Sequence, residues 1–220
     1  MKYNVIEIFT SINGEGIRGG ELSTFVRFVG CNLRCRYCDS AYTYDPKEGF
    51  QIMDEDEIVD YCKKAGAHNL TLAGGEPLYQ KGIKELIARL VKEGFSVEIE
   101  TNGSIDIKEI SEMEYRPHFT LDYKTSASGM EKHNKIENYQ YLHEGDAVKF
   151  VVGSKKDLEK MVDVVERNKL LEKCKVLVSP VFGEIEPVEI VDFMKENNLN
   201  GYKMQMQIHK FIWSPDERGV

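Results

Sequence analysis

The 220-residue sequence lacks any apolar run approaching the length needed to span a bilayer, which excludes a helical membrane anchor. It also lacks a Pro/Gly/Ser-rich linker, an internal repeat and a low-complexity tract, so a single domain over residues 1–220 is expected. Positive charge is in deficit: 29 Lys and Arg against 37 Asp and Glu leave a net charge of −8. A broad nucleic-acid surface needs a basic stripe, so the expected partner is a small molecule. The N-terminal MKYNVIEIFT alternates like a strand and lacks the charged-then-apolar layout of an export signal, so a cytoplasmic location is expected. Histidines are few, and those at 68, 118, 133, 143 and 209 show no metal-ligand pairing. Cysteine is scarce as well, with five in the chain. Three of them nevertheless fall together in VGCNLRCRYCDS, at Cys31, Cys35 and Cys38.

Strand-like and helix-like patterns alternate around that cluster. After the first strand, STFVRFVG reads as a second that leads into the cysteines. Asp54 and Glu57 have capping-box spacing before Ile58, which predicts a helix start. NLTLAGGEP is a short apolar strand stopped by Gly74, Gly75 and a proline. Ile83, Leu86, Ile87, Leu90 and Val91 make a helical stripe ended by Gly94. SVEIETNG, HFTLDYK, DAVKFVV and KVLVSPV read as further strands. Ser154 with Asp157 caps a helix with the stripe Leu158, Met161, Val162 and Val165, and Pro187 opens another that ends near Asn197. YKMQMQIHK closes the chain as a strand and tail. Such βα alternation implies a mostly parallel sheet covered by helices. A full eight-stranded barrel takes about 250 residues, so an incomplete TIM-like barrel of about six strands is expected. Ligands in such sheets sit at the C-terminal strand ends, where Cys31, the Gly74–Pro77 and Thr101–Gly103 turns, Lys124 and Ser179 gather.

The cysteine spacing is C-x3-C-x2-C. A structural zinc site supplies four ligands, as does an ordinary iron–sulfur cluster. Cys62 sits in a predicted helix and Cys174 before a strand, both remote in sequence. Three thiolates on one loop would leave one iron open to an outside ligand. A catalytic zinc with a water, a Cys35–Cys38 redox couple and plain core cysteines are the alternatives.

C-x3-C-x2-C after a strand, with GGEP at the end of the next βα strand, resembles the radical S-adenosylmethionine (SAM) superfamily. The resemblance implies a 4Fe-4S cluster on Cys31, Cys35 and Cys38, with SAM on the open iron. It implies that Tyr37 lies near the adenine and that Gly74, Gly75 and Glu76 receive the methionine ammonium. Glu100, Lys124, Ser126 and Ser179 are further candidate SAM contacts at neighbouring strand ends. The cofactor carries the hard chemistry, so no side chain is named as a catalytic group.

Further stretches resemble one family within it, 7-carboxy-7-deazaguanine synthase. FTSINGEG is similar to the family's F-x-S-x-Q-G-E-G, CDS to C-D-[ST], and QIHKFIW to Q-x-H-K-x-x-W. Asn13 stands where the pattern has Gln. The resemblance implies contraction of 6-carboxy-5,6,7,8-tetrahydropterin with loss of ammonia, in 7-deazapurine (queuosine-type) biosynthesis. It implies Mg²⁺ on Ser40, an electron donor such as flavodoxin or ferredoxin, and substrate contacts from Asn13, Glu15, Arg27, Thr101, Asn102, His209 and Lys210. A homodimer is left open.

The residues themselves are compatible with this. Arg27 sits in a strand apolar on both faces, and a buried guanidinium needs an anion. That anion is either a substrate carboxylate or a structural acid such as Glu15. Glu15 lies between glycines, free to approach a ligand closely. The rival readings are an activase that installs a glycyl radical on a protein partner, and a metal-bearing binding module without catalysis.

Overall fold

The computed structural model describes residues 1–44, 49–214 and 217–220. Its strands are β1 Lys2–Ile12, β2 Leu22–Phe28, β3 Gln51–Asp54, β4 Asn69–Gly74, β5 Ser96–Thr101, β6 His118–Tyr123, β7 Ala147–Val152, β8 Lys175–Pro180 and β9 Tyr202–Met204. Its α-helices are α1 Glu55–Ala65, α2 Ile83–Lys92, α3 Lys108–Ser111, α4 Lys155–Asn168, α5 Pro187–Glu196 and α6 His209–Ile212. The strands form one sheet in the order β3-β1-β2-β4-β5-β6-β7-β8-β9. From β2 to β9 every neighbour pair is parallel, whereas β1 runs antiparallel to both β2 and β3.

The result is an α/β, mostly parallel sheet that does not close into a barrel, since β3 and β9 remain its two ends. The parallel run has seven strands, β2 and β4 to β9, with β1 and β3 added at one edge. The four-residue β3 has no sequence pattern of its own and exists because it pairs with β1 from Lys2 to Val5. The C-terminal stretch is a strand and tail, as expected: β9 stops at Met204, and in the tail His209 and Lys210 belong to the short α6.

Helix starts fall where the sequence places them. The Asp54 side chain accepts from Glu57 N–H at 3.0 Å while the Glu57 carboxylate accepts from Asp54 N–H at 2.8 Å. Ser154 caps α4 by accepting from Asp157 N–H, and Pro187 opens α5. The helices bury Ile58, Val59, Leu86, Ile87, Leu90, Met161, Val165 and Ile190 against the outer face of the sheet. Cys62 and Cys174 are buried in that same apolar layer, away from the other three cysteines.

The inner face differs. Arg27, Glu100, Thr120, Asp122 and Lys149 line a central cavity, with Thr120 and Asp122 spaced by two along β6 as alternate strand positions require. The sheet therefore has an apolar exterior packed by helices and a charged interior. Replacing Asp54 with Ala removes the cap that starts α1 and is expected to cost about 1 kcal/mol in urea unfolding, with an unchanged m-value.

Candidate active site

The loop that follows β2 carries the three cysteines and is fixed on two sides. Gly75 N–H donates to Phe28 O at 3.0 Å, and Glu76 N–H to Gly30 O at 2.9 Å. Arg36 N–H donates to Ser128 O at 3.0 Å, and its Nε to Ala127 O at 3.0 Å. The glycines of GGEP are required by this contact. Gly74 has φ +110°, and a Cβ on either residue would collide with the backbone of residues 27–31. The turn after β4 thus braces the cysteine loop from behind.

Cys31, Cys35 and Cys38 face a cavity of about 810 Å³ at the C-terminal ends of the parallel strands. Cys31 Sγ accepts weak hydrogen bonds from Leu33 N–H at 3.4 Å and Asn102 Nδ2 at 3.6 Å. Burial pushes the Cys31 thiol above its ordinary value and the Cys35 thiol up to about 11. Among the described residues, no three His, Cys, Asp or Glu side chains converge on a single ion. Two carboxylate oxygens on the cavity wall, Glu15 Oε1 and Asp122 Oδ1, are buried with no protein partner. Three thiols on one wall and unpaired acceptors on another fit a metal cluster and a polar, N–H- or O–H-bearing ligand.

A buried charge network fills the middle of the cavity. Lys149 Nζ lies 3.4 Å from Glu15 Oε2 and 3.9 Å from Asp122 Oδ2. Asp122 Oδ2 also accepts from Lys124 Nζ at 2.8 Å. Desolvation would lower both lysines, but the surrounding acids outweigh it and raise both above the ordinary lysine value. Burial raises the Glu100 carboxyl, with Glu15 and Asp122 adding to it and Lys149 and Arg27 opposing.

Arg27 has a structural acid beside it, as one of the two sequence-based expectations has it. Its Nη1 donates to Tyr42 Oη at 2.7 Å and to Glu7 Oε2 at 3.3 Å, and its guanidinium lies over the rings of Phe9 and Phe25. The structural acid beside it is therefore Glu7 rather than Glu15, which pairs with Lys149. Both Arg27 bonds leave from Nη1, and the guanidinium still faces the cavity.

The rim is completed from the two ends of the chain. His209, Lys210 and Gln207 line the cavity beside Asp39 and Ser40. Ser40 Oγ donates to Asp39 Oδ1 at 2.9 Å, and Lys210 Nζ donates to Gln207 Oε1 at 2.7 Å. Burial alone would raise the Asp39 carboxyl, but Lys210 and the Ser40 hydroxyl, aided by Lys149 and Arg27, hold it below the usual range. Burial lowers His209, which favours the neutral imidazole.

Tyr37, Gly74, Gly75, Thr101, Asn102, Glu100 and Lys124 also line the cavity. Asn13, Glu76, Ser126 and Ser179 do not. The Glu76 carboxylate is fully buried and accepts from Thr101 Oγ1 at 2.8 Å, Asn102 N–H at 2.7 Å and Leu78 N–H at 3.0 Å. It ties β4 to β5. Asn13 accepts from Thr71 Oγ1 at 3.0 Å below the cavity, Ser126 donates to Asp157 at 2.7 Å, and Ser179 is wholly buried in β8.

Sequence reasoning missed Lys149, Asp122, Tyr42 and Glu7. The first was detectable, because AVKFVV places a lysine in an apolar strand just as TFVRFV places Arg27.

A family model for the radical SAM superfamily matches residues 25–169. The 7-carboxy-7-deazaguanine synthase of Clostridium acetobutylicum is 48% identical over 100% of both chains. That of Chlorobaculum tepidum is 36% identical over 99% of this chain and 97% of its own. The chain belongs to the radical SAM superfamily and, within it, to the 7-carboxy-7-deazaguanine synthase family. It is thus a radical SAM enzyme, a family that works with a 4Fe-4S cluster and SAM. The crystal structure of QueE from Escherichia coli has the same fold, with a TM-score of 0.74 at 20% identity over 94% of each chain.

Replacing Lys149 with Met tests the network. Removing one partner of a buried ion pair leaves uncompensated carboxylates, so a loss of about 3 kcal/mol is expected in chemical unfolding at neutral pH. The wild-type stabilisation persists across neutral pH, because a raised lysine loses its proton only in strongly alkaline solution.

Proposed function

We propose that this chain converts 6-carboxy-5,6,7,8-tetrahydropterin to 7-carboxy-7-deazaguanine with loss of ammonia, in 7-deazapurine biosynthesis. The observation that carries the reading is the pairing of a three-thiol wall with the unpartnered, buried Glu15 Oε1 in one cavity. The full-length likeness to enzymes of that name supports it.

Cys31, Cys35 and Cys38 would hold the 4Fe-4S cluster, with Tyr37, Gly74, Gly75 and Lys124 around SAM. When bound and reduced by a flavodoxin- or ferredoxin-type donor, the cluster and SAM together supply a 5′-deoxyadenosyl radical. The protein residues bind and orient the substrate. Glu15 accepts from the amino-pyrimidinone edge, relieving an oxygen that otherwise lacks a donor. Arg27 receives the pterin carboxylate, its plane fixed by Phe9 and Phe25 and by its bond to Tyr42. Lys210, with the neutral His209, extends that anion-binding wall. Thr101 and Asn102 close the wall at the end of β5. Ser40 and Asp39 offer two adjacent oxygens at the rim, a donor set suited to Mg²⁺ that keeps several waters.

Anaerobically reconstituted protein with SAM, dithionite, Mg²⁺ and the carboxypterin should yield 7-carboxy-7-deazaguanine by mass spectrometry. Cleavage of SAM with no such product would overturn the assignment. In the same assay Arg27→Ala should raise KM by at least about tenfold through loss of a charge-assisted bond, with iron content unchanged. Ser40→Ala should shift the Mg²⁺ dependence and leave iron content untouched. Equal activity with and without Mg²⁺ in the wild type would count against the cation.

A further inference from the structure

Beneath the cavity lies a buried carboxyl that the reading above does not use. Glu98, on β5 and two residues before Glu100, is fully buried and does not line the cavity. Its Oε1 accepts from Thr120 Oγ1 at 2.6 Å and from Ile17 N–H at 3.3 Å. Its Oε2 is buried without a hydrogen-bond partner. The second donor belongs to the loop 13–21 between β1 and β2, the loop that carries Glu15. The approach is close: Gly16 has φ +78°, and a Cβ there would stand 2.6 Å from Glu98 Oε1.

We propose that Glu98 is a positioning residue that seats the loop 13–21 from below and thereby fixes Glu15 against Lys149. The loop has a second attachment, since Gln205 accepts from Gly16 N–H at 3.2 Å and donates to Gly16 O at 2.6 Å. Between these two grips the backbone on either side of Glu15 has little freedom. Glu15 then presents Oε2 to Lys149 and Gln207 and Oε1 to the cavity.

The seat works with an uncharged carboxyl. Burial first, and Glu100 second, push Glu98 up to about 7, against the opposing pull of Thr120, Ile17 N–H and Arg18. The groups around it do not reverse this. Arg18 in the loop is engaged with Glu21 and Ser96. His118, paired with Glu98 across β5 and β6, is itself lowered by burial and by Arg18, and stays neutral. Thr71 on β4, Asn13 and Gln205 are uncharged, and the nearest acids, Glu100 and Glu15, repel a second negative charge.

Ionised Glu98 would be a buried anion with one unpaired oxygen, and the loop is the element that can part to admit water. The native pKa lies above the ordinary 4.5 of a glutamate, so the seated loop binds the proton more tightly than the open one. Its stabilisation is complete below about 4.5 and is lost as pH rises through about 7.

Hydrogen exchange of the loop amides on the unloaded, full-length chain tests this without substrate, cluster or turnover. After correction for intrinsic rates, wild-type protection at residues 14–18 should fall as pH rises between 4.5 and about 7, approaching tenfold per pH unit within that window, and level off above it. Glu98→Gln keeps a neutral acceptor of the same shape, and its protection should stay high and flat with pH. Glu98→Ala should be poorly protected throughout. A pH-independent wild type, a Gln variant that follows the wild-type profile, or a Gln variant loose at every pH would each overturn the proposal. In turnover, an arm that rests on the proposed function, Glu98→Ala should raise KM for the pterin more than it lowers kcat. Because exchange is read without ligand, its failure is separable from failure of the product assay.

Discussion

Lys149 is the charge on which the interior of this sheet depends. An ammonium taken out of water is costly unless it is paired, and this one lies among three carboxyls, at 3.4 Å from Glu15, at 3.9 Å from Asp122 and near Glu100. Those acids come from the loop 13–21, β6 and β5, while the lysine comes from β7. One cation therefore makes four separate pieces of chain mutually necessary. With it, Glu15 Oε1 and Asp122 Oδ1 are still left over among the described residues. The network is built two donors short, and the proposed substrate brings N–H groups that would complete it.

The open edge of the sheet is the second constraint. A closed barrel joins its edges by hydrogen bonds, whereas here β9 and β3 end the sheet unpaired with one another. The gap is spanned by chain ends. After β9, Gln205 grips Gly16, Ile208 N–H donates to Gly14 O at 3.1 Å, and the chain then delivers His209 and Lys210 to the rim. Residues from both termini thus enter one site because the missing strands left room for them.

The sequence carried most of this architecture and part of the site. Caps at Asp54 and Ser154, the apolar stripes of α2 and α4, and the cysteine and GGEP spacing are local signals, and local signals survive folding. β3 was invisible because four residues acquire strand geometry only by pairing with β1. The setting of Glu76 was invisible for a related reason. Its place in a conspicuous turn suggests a ligand contact, but the three internal donors that hold its oxygens come together only on folding. Lys149 and Asp122 were missed although their signal was present: a charged residue at every second position of an apolar strand marks a polar interior face. Arg27 was read by that logic, and applying it to β5, β6 and β7 would have found Glu98, Glu100, Asp122 and Lys149 together.

The state of the thiols narrows what the cysteine wall can do by itself. A dithiol redox couple needs a thiolate near neutral pH, which requires a helix N-terminus or a cation strong enough to lower the thiol. Here burial dominates at Cys31 and Cys35 and raises both thiols, which disfavours the thiolate. Lys124 pulls Cys35 the other way, but its charge is already committed to Asp122. Such thiols are poor nucleophiles, and only a bound metal centre brings enough charge to ionise them. Burial therefore makes the Cys31 and Cys35 part of the wall a poor redox couple and suits it to a ligand role. Its chemistry is tied to the cluster that the spacing of Cys31, Cys35 and Cys38 is built to accept.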